Sequence, residues 1–244
     1  MCRHLAYVGP PRTLQDLVVA PSRSLTTQSW SPQLQRHGTV NVDGFGAGWY
    51  VDGRPEPVRY RRAQPIWTDG SFFSLAPTVA SSCVLAAIRS ATPGFAHDES
   101  ASAPFTHDRW LFSHNGRLDD YLTARKALWQ QSSTARDALA AVDSALLFGL
   151  AVSAWEGGAS LGAGLVAAAR DVAGAGGGRL TMLATDGSAL AGVVVGEPLW
   201  LLPGDGSALV ASEPHDDEPG WRELPDLTLV EATPAGVTET TFEL

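Results

Sequence analysis

The chain has 244 residues, with 26 acidic against 17 basic side chains and a formal net charge of -9. Hydrophobic residues make up 44% and charged residues 18%, a balance that excludes a disordered chain, while the negative charge argues against nucleic acid or an anionic membrane as main partner. Two cysteines, Cys2 and Cys83, are too few for a disulfide framework or a multi-cysteine zinc site.

The opening Met-Cys-Arg-His-Leu-Ala-Tyr-Val is broken by Gly9-Pro10-Pro11, so no secretory signal of charged start plus apolar stretch is read there. A cytoplasmic location with reduced thiols is the expectation. The longest apolar stretch, Ala145 to Trp155, is too short to span a membrane.

Leu5 to Val8 reads as a first strand ending at that breaker, and Thr13 to Val19 as an amphipathic helical segment closed by Pro21. Phe45 to Val51, set between Asp43-Gly44 and Asp52-Gly53, reads as a hairpin strand. Cys83 to Ile88 is a continuous apolar run typical of a strand covered on both faces. Arg109 to Ser113 is a further strand leading into His114-Asn115-Gly116. The spacing predicts helices over Asp119 to Gln130, Asp137 to Trp155 and Ser160 to Ala173, the last two forming an antiparallel pair across a Gly-rich turn. Strands return at Leu180 to Thr185, Leu190 to Val195, Leu199 to Leu202, Ala208 to Ser212 and Leu227 to Glu231. Thr92 to Asp108 and Glu213 to Gly220 are the least regular stretches. Strands, paired helices and strands again describe one α+β layered domain.

Four features carry chemistry. Cys2 is either a small buried hydrophobe on the first strand or, once Met1 is removed, a nucleophile with its own α-amine as base, since that amine titrates near 7.7–8.0. Asn115-Gly116 is either a turn or a pair of donors, a carboxamide and a backbone N–H, able to form an oxyanion hole. Arg89, ending an apolar strand, is a structural ion-pair partner or a bidentate carboxylate clamp, with Thr92 three residues on as a further donor. Asp143 in an apolar helix lies on a solvated face or pairs with a cation such as a substrate ammonium. The histidines show no metal-ligand spacing, so no metal is expected, and the thiol chemistry of Cys2 needs no organic cofactor. Gly44 to Gly48 lacks the spacing of a phosphate-binding loop, and Cys83 reads as core.

Taken in order, Met1-Cys2-Arg3-His4-Leu5, Asp43-Gly44-Phe45-Gly46, Arg89-Ser90-Ala91-Thr92, His114-Asn115-Gly116 and Asp143-Ser144 resemble the class II glutamine amidotransferase family of N-terminal nucleophile hydrolases. The resemblance covers the whole chain. It implies a four-layer αββα fold, a single domain over residues 2–244, and a mature chain beginning at Cys2. It also implies Cys2 as nucleophile, Asn115 and Gly116 as oxyanion donors, Arg89 with Thr92 as the α-carboxylate clamp, and Asp143 as the α-ammonium acceptor. His37-Gly38-Thr39-Val40-Asn41 and Ala211-Ser212-Glu213-Pro214 look like the ergothioneine-pathway branch, whose enzyme hydrolyses γ-glutamyl-hercynylcysteine S-oxide. Pro93 stands where many glutamine-using members have histidine. The partner so implied is a small γ-glutamyl compound, with a homodimer allowed as the assembly. A glutaminase subunit supplying ammonia to a separate synthetase is the runner-up; a non-catalytic domain retaining the fold is the alternative from another class. One domain leaves no second active site to capture ammonia, which favours the hydrolase. Trp30, Trp67 and Trp110 are candidate platforms for a trimethylammonium group by cation–π contact.

Overall fold

The computed structural model describes every residue except Met1, Pro93 and Ala96. Two antiparallel sheets lie face to face between helical layers. The first sheet contains β1 (Arg3–Thr13), β2 (Gly44–Trp49), β3 (Val58–Arg62), β4 (Ala80–Arg89), β9 (Trp200–Gly204), β10 (Ser207–Ala211) and β11 (Arg222–Glu223), the second β5 (Phe105–His107), β6 (Trp110–Leu118), β7 (Gly178–Thr185), β8 (Leu190–Val193), β12 (Thr228–Thr233) and β13 (Gly236–Thr241). The strand orders are β11-β9-β10-β1-β4-β2-β3 and β13-β12-β8-β7-β6-β5. The short helices α1 (Leu25–Gln28) and α2 (Gly70–Leu75) lie outside the first sheet, while α3 (Tyr121–Leu128), α4 (Asp143–Glu156) and α5 (Leu161–Gly174) belong to the second. The chain is therefore the expected αββα sandwich.

Strand alternation builds the layers. Along β1, Leu5 and Tyr7 join Phe45, Ile88, Leu17 and Phe72 on the outer face of the first sheet. Ala6 and Val8 point the other way and meet Leu85, Leu111, Leu183 and Val230 between the sheets. Phe112, Met182 and Ala184 turn outward to Leu147, Ala151 and Val172 of the helix pair. Ten of the fourteen α4 residues are buried, because α5 and the sheet enclose them. Gly164 of α5 lies so close to the Trp155 indole that a Cβ there would overlap it. No helix among the described residues is long and apolar enough to cross a membrane.

Several elements differ from their sequence reading, each for a local reason. β1 continues past Gly9-Pro10-Pro11 to Thr13 through an irregularity between Val8 and Arg12, where the prolines need no ladder N–H. The segment after it is a single wide turn over Gln15–Val19 rather than a helix from Thr13. His114-Asn115-Gly116 is no turn: it lies inside β6, opposite Met182, Thr181 and Leu180. The predicted helix from Asp137 breaks into a short turn over Arg136–Leu139 and then α4, which starts at Asp143. Asp137 accepts instead from Arg59 and from the Thr106 amide, the latter at 2.9 Å. Within the stretch read as irregular, Phe105–His107 pairs with β6.

Cys83 is buried in β4, and burial pushes its thiol up to about 12. Trp110 packs on Trp155 at 5.2 Å in the core, whereas Trp30 and Trp67 meet edge to face at 5.5 Å and stay exposed.

Candidate active site

One end of the sandwich gathers the start of β1, the ends of β4 and β6, and the first turn of α4. Arg3 pairs with Ile88 in the antiparallel β1–β4 ladder, so one further step of that register sets Cys2 level with Arg89. The half-buried Cys2 Sγ lies 4.0 Å from the Ser90 carbonyl oxygen. Arg89 in turn pairs with Gly44 of β2 on its other side. Asp43 brackets this strand end twice: its amide donates to the Arg89 carbonyl at 3.0 Å and its carboxylate accepts from the Ala91 amide at 2.7 Å.

A cleft of about 500 Å³ opens here, and its lining includes Cys2, Arg89, Thr92, Gly116 and Asp143. Phe45, Phe95 and Phe105 supply apolar wall. Five of the six residues singled out from the sequence thus share one cavity, although they come from four separate segments. The sixth, Asn115, is the immediate neighbour of Gly116 on β6.

Asn115 is the anomaly of the site. It is wholly buried, yet among the described residues neither its side-chain nitrogen nor its oxygen has a hydrogen-bond partner. A buried carboxamide left unpaired costs about 1–3 kcal/mol, so it needs an explanation. Its neighbour is constrained too. Gly116 has φ +157, and a Cβ there would overlap the Arg179 carbonyl, so only glycine lets β6 and β7 approach this closely.

The two histidines flanking the cleft are neutral structural groups. His4 Nδ1 lies 3.0 Å from the Ser113 hydroxyl between the sheets, and burial pushes its pKa down to about 3. Burial also lowers the pKa of His114, against the opposing pull of Asp143. The His114 Nε2–H donates to the Arg179 carbonyl at 2.9 Å, which leaves Nδ1 to accept from the Ser144 hydroxyl at 2.9 Å. Burial thus makes both rings weaker bases than an exposed imidazole. The Cys2 thiol is raised by burial, with Arg89 pulling it down and Asp143 pushing it up. It is therefore a protonated thiol that needs a base to become a nucleophile.

Asp143 opens α4, where the helix dipole favours a carboxylate. It is buried, and its oxygens accept from the Leu118 amide at 3.2 Å and the Ser144 amide at 2.8 Å. The solvated-face reading of this residue is thereby removed. Asp43 and the His114–Ser144 pair went unassigned from sequence: Asp43-Gly44 looks like turn punctuation, and nothing local shows that a strand end leans on it. Met1 and Pro93, on which the processing and substrate-preference expectations fall, lie outside the described residues.

Relatives with the same arrangement of chain are known. The γ-glutamyl-hercynylcysteine sulfoxide hydrolase of Mycolicibacterium smegmatis is 41% identical over 240 residues, covering 98% of this chain and 99% of that protein. The protein of that name from Mycobacterium tuberculosis is 39% identical, covering 100% of this chain and 97% of its own. Among solved structures, a glutamine aminotransferase class-II domain protein from Silicibacter pomeroyi superposes with a TM-score of 0.71 at 26% identity, both chains covered in full. The profile of the class-II glutamine amidotransferases matches residues 18–203. With three-quarters of its length matched by that profile and whole-chain relatives at this identity, the chain belongs to the class-II glutamine amidotransferase family.

Proposed function

We propose that this chain is an amidohydrolase that cleaves the γ-glutamyl amide of γ-glutamyl-hercynylcysteine S-oxide, giving glutamate and hercynylcysteine S-oxide. The names of the whole-chain relatives supply the substrate; the unpaired carboxamide of Asn115, next in sequence to Gly116 of the cleft that Cys2 lines, is the observation that carries the chemistry. The working chain is one domain over residues 2–244, acting in the cytoplasm, with a homodimer compatible with it.

The site residues take these roles. Removal of Met1 frees the Cys2 amine, which accepts the thiol proton directly or through one water as sulfur attacks the γ-carbonyl. Asn115 Nδ2 and the Gly116 N–H hold the oxyanion; a donor waiting without a ground-state partner is preorganised for charge that appears only in the transition state. The protonated amine then delivers its proton to the leaving nitrogen. Water hydrolyses the resulting γ-glutamyl thioester by the reverse proton path. Arg89 and Thr92 grip the α-carboxylate and Asp143 the α-ammonium, so the attack becomes effectively intramolecular. Both grips lie in the walls of the same cleft as the nucleophile.

The test compares kcat/KM for the hercynyl conjugate and for glutamine, using protein whose intact mass shows Met1 removed. A strong preference for the conjugate is expected. A preference for glutamine would point to an ammonia-supplying subunit instead, and an active Cys2→Ala variant would show that another nucleophile is used.

A further inference from the structure

The residue after the nucleophile has no part in that mechanism, and its setting is unusual. Arg3 is completely buried in β1. None of its three nitrogens makes a hydrogen bond among the described residues, and its ion pair is with Glu213 at 3.4 Å. Glu213 is buried as well and has its two oxygens engaged elsewhere, accepting from the Gln33 amide at 3.1 Å and the Leu34 amide at 2.8 Å. An arginine kept for anchorage alone is expected to fill its donor fork, because a buried guanidinium is costly unless fully bonded. This one is instead an under-bonded positive charge, one residue from Cys2.

We propose that Arg3 is a positioning residue: its side chain pins the end of β1, and its charge keeps the neighbouring Cys2 amine in the neutral, proton-accepting form. The proposal rests on the reading of Cys2 as an N-terminal nucleophile. The first residue of a chain frays unless something ties it down. The guanidinium, held by Glu213 to the segment around Gln33, ties the strand down one residue along the chain from the amine. A positive charge close by also disfavours protonation of an amine.

The other charges at this end of the sandwich do not do the same. Arg89 from β4 has the same sign, and Asp143 from α4 the opposite sign, but the glutamyl carboxylate and ammonium neutralise both when substrate binds. His4 of β1 and His114 of β6 are uncharged through the burial already described. Glu197, between β8 and β9, is in electrostatic range of Arg3 but is paired with Arg179 of β7 at 2.8 Å. Asp43, ahead of β2, is turned to the Ala91 amide and lies 3.8 Å from His97. Arg3, offset in part by Glu213, is thus a positive charge one residue from Cys2 that lies outside the cleft lining and that the substrate does not neutralise.

The experiment measures the pH dependence of kcat for wild type, Arg3→Lys, Arg3→Met and Glu213→Gln, each with Met1 loss verified by mass. Activity requires the neutral amine, so its protonation sets the acidic limb, and kcat reports the substrate-bound enzyme. Arg3→Met is expected to move that limb up by about one pH unit. Glu213→Gln removes the compensating negative charge and moves the limb down. Arg3→Lys keeps the charge and stays near wild type. Uniformly lowered kcat with an unmoved limb in all variants would make Arg3 purely structural and overturn the proposal. If Arg3→Met does not fold, Glu213→Gln decides: an unmoved or raised limb overturns it. Retention of Met1 in active wild type, or activity in Cys2→Ala, would sink the nucleophile reading and is scored separately.

Discussion

The Asp43 carboxylate holds the Ala91 amide at 2.7 Å while the Asp43 amide donates to the Arg89 carbonyl at 3.0 Å. One residue of the strap before β2 therefore fixes both ends of the Arg89–Ala91 segment, and with it the reach of the proposed carboxylate clamp. Asp43→Ala deletes a charge-assisted bond worth about 1.5–3 kcal/mol. The expected result is a KM for the γ-glutamyl substrate raised roughly tenfold or more, with kcat much less affected. Steady-state kinetics checks this, and an unchanged KM would show that the segment holds itself.

Asn115 sets activity against stability. Asn115→Leu removes one of the two proposed oxyanion donors, for which a kcat loss of about 100- to 1000-fold is expected at similar KM. The same change abolishes a buried unpaired carboxamide, whose cost is about 1–3 kcal/mol. Thermal unfolding should therefore show a melting temperature equal to or above that of wild type. A large loss of stability would mean that the carboxamide has partners in the resting protein.

Asp143 should discriminate the α-ammonium. Wild type is expected to favour γ-glutamyl amides over the matching glutaryl amides, which lack the amino group, by about 100-fold or more in kcat/KM, since each 1.4 kcal/mol is a factor of ten. Asp143→Asn should lose most of that preference. Equal activity of wild type on both series would remove the assigned role.

Acid should weaken the fold through its buried histidines. Burial holds His4 at about 3 against an ordinary value of 6.5, and it lowers His114 and His215 as well. Below pH 6.5 the unfolded chain binds protons that these folded rings refuse, so their contribution to stability is complete above that pH and is lost as pH falls toward the folded values. Each ring contributes a slope of up to about 1.4 kcal/mol per pH unit. Urea unfolding of His4→Gln between pH 6.5 and pH 4 should show a slope smaller by one such share. Parallel slopes in variant and wild type would mean that His4 is protonated in the native state.

What the sequence discloses here follows from what each residue depends on. Cys83 to Ile88 and, despite its two threonines, Leu180 to Thr185 are legible because strands buried on both faces need largely apolar runs. β3 and β13 are not, since Val58-Arg59-Tyr60-Arg61-Arg62 and Gly236-Val237-Thr238-Glu239-Thr240-Thr241 are edge strands rich in polar residues, the first half-buried and the second mostly exposed. Asn115-Gly116 carries the signature of a turn, and only pairing with β7 overrides it. Of the site, Cys2 is conspicuous by position alone. The rest is a convergence of strand ends from distant parts of the chain, which local periodicity does not encode and which family likeness supplied. Asp143 shows the difference: its place in an apolar helix was visible, but its place as the opening residue depended on where the helix breaks.

The contrast between the two thiols turns the molecule into its own stopwatch. Cys2 faces a cleft, while Cys83 is sealed in the interior strand β4 with its ionisation suppressed. A thiol-directed dye at neutral pH should thus enter in two steps: one equivalent at the mouth of the cleft, and a second only as fast as the sandwich parts around β4. Read at increasing dye concentration, the second step would plateau at the frequency with which the folded chain spontaneously opens, with no denaturant added.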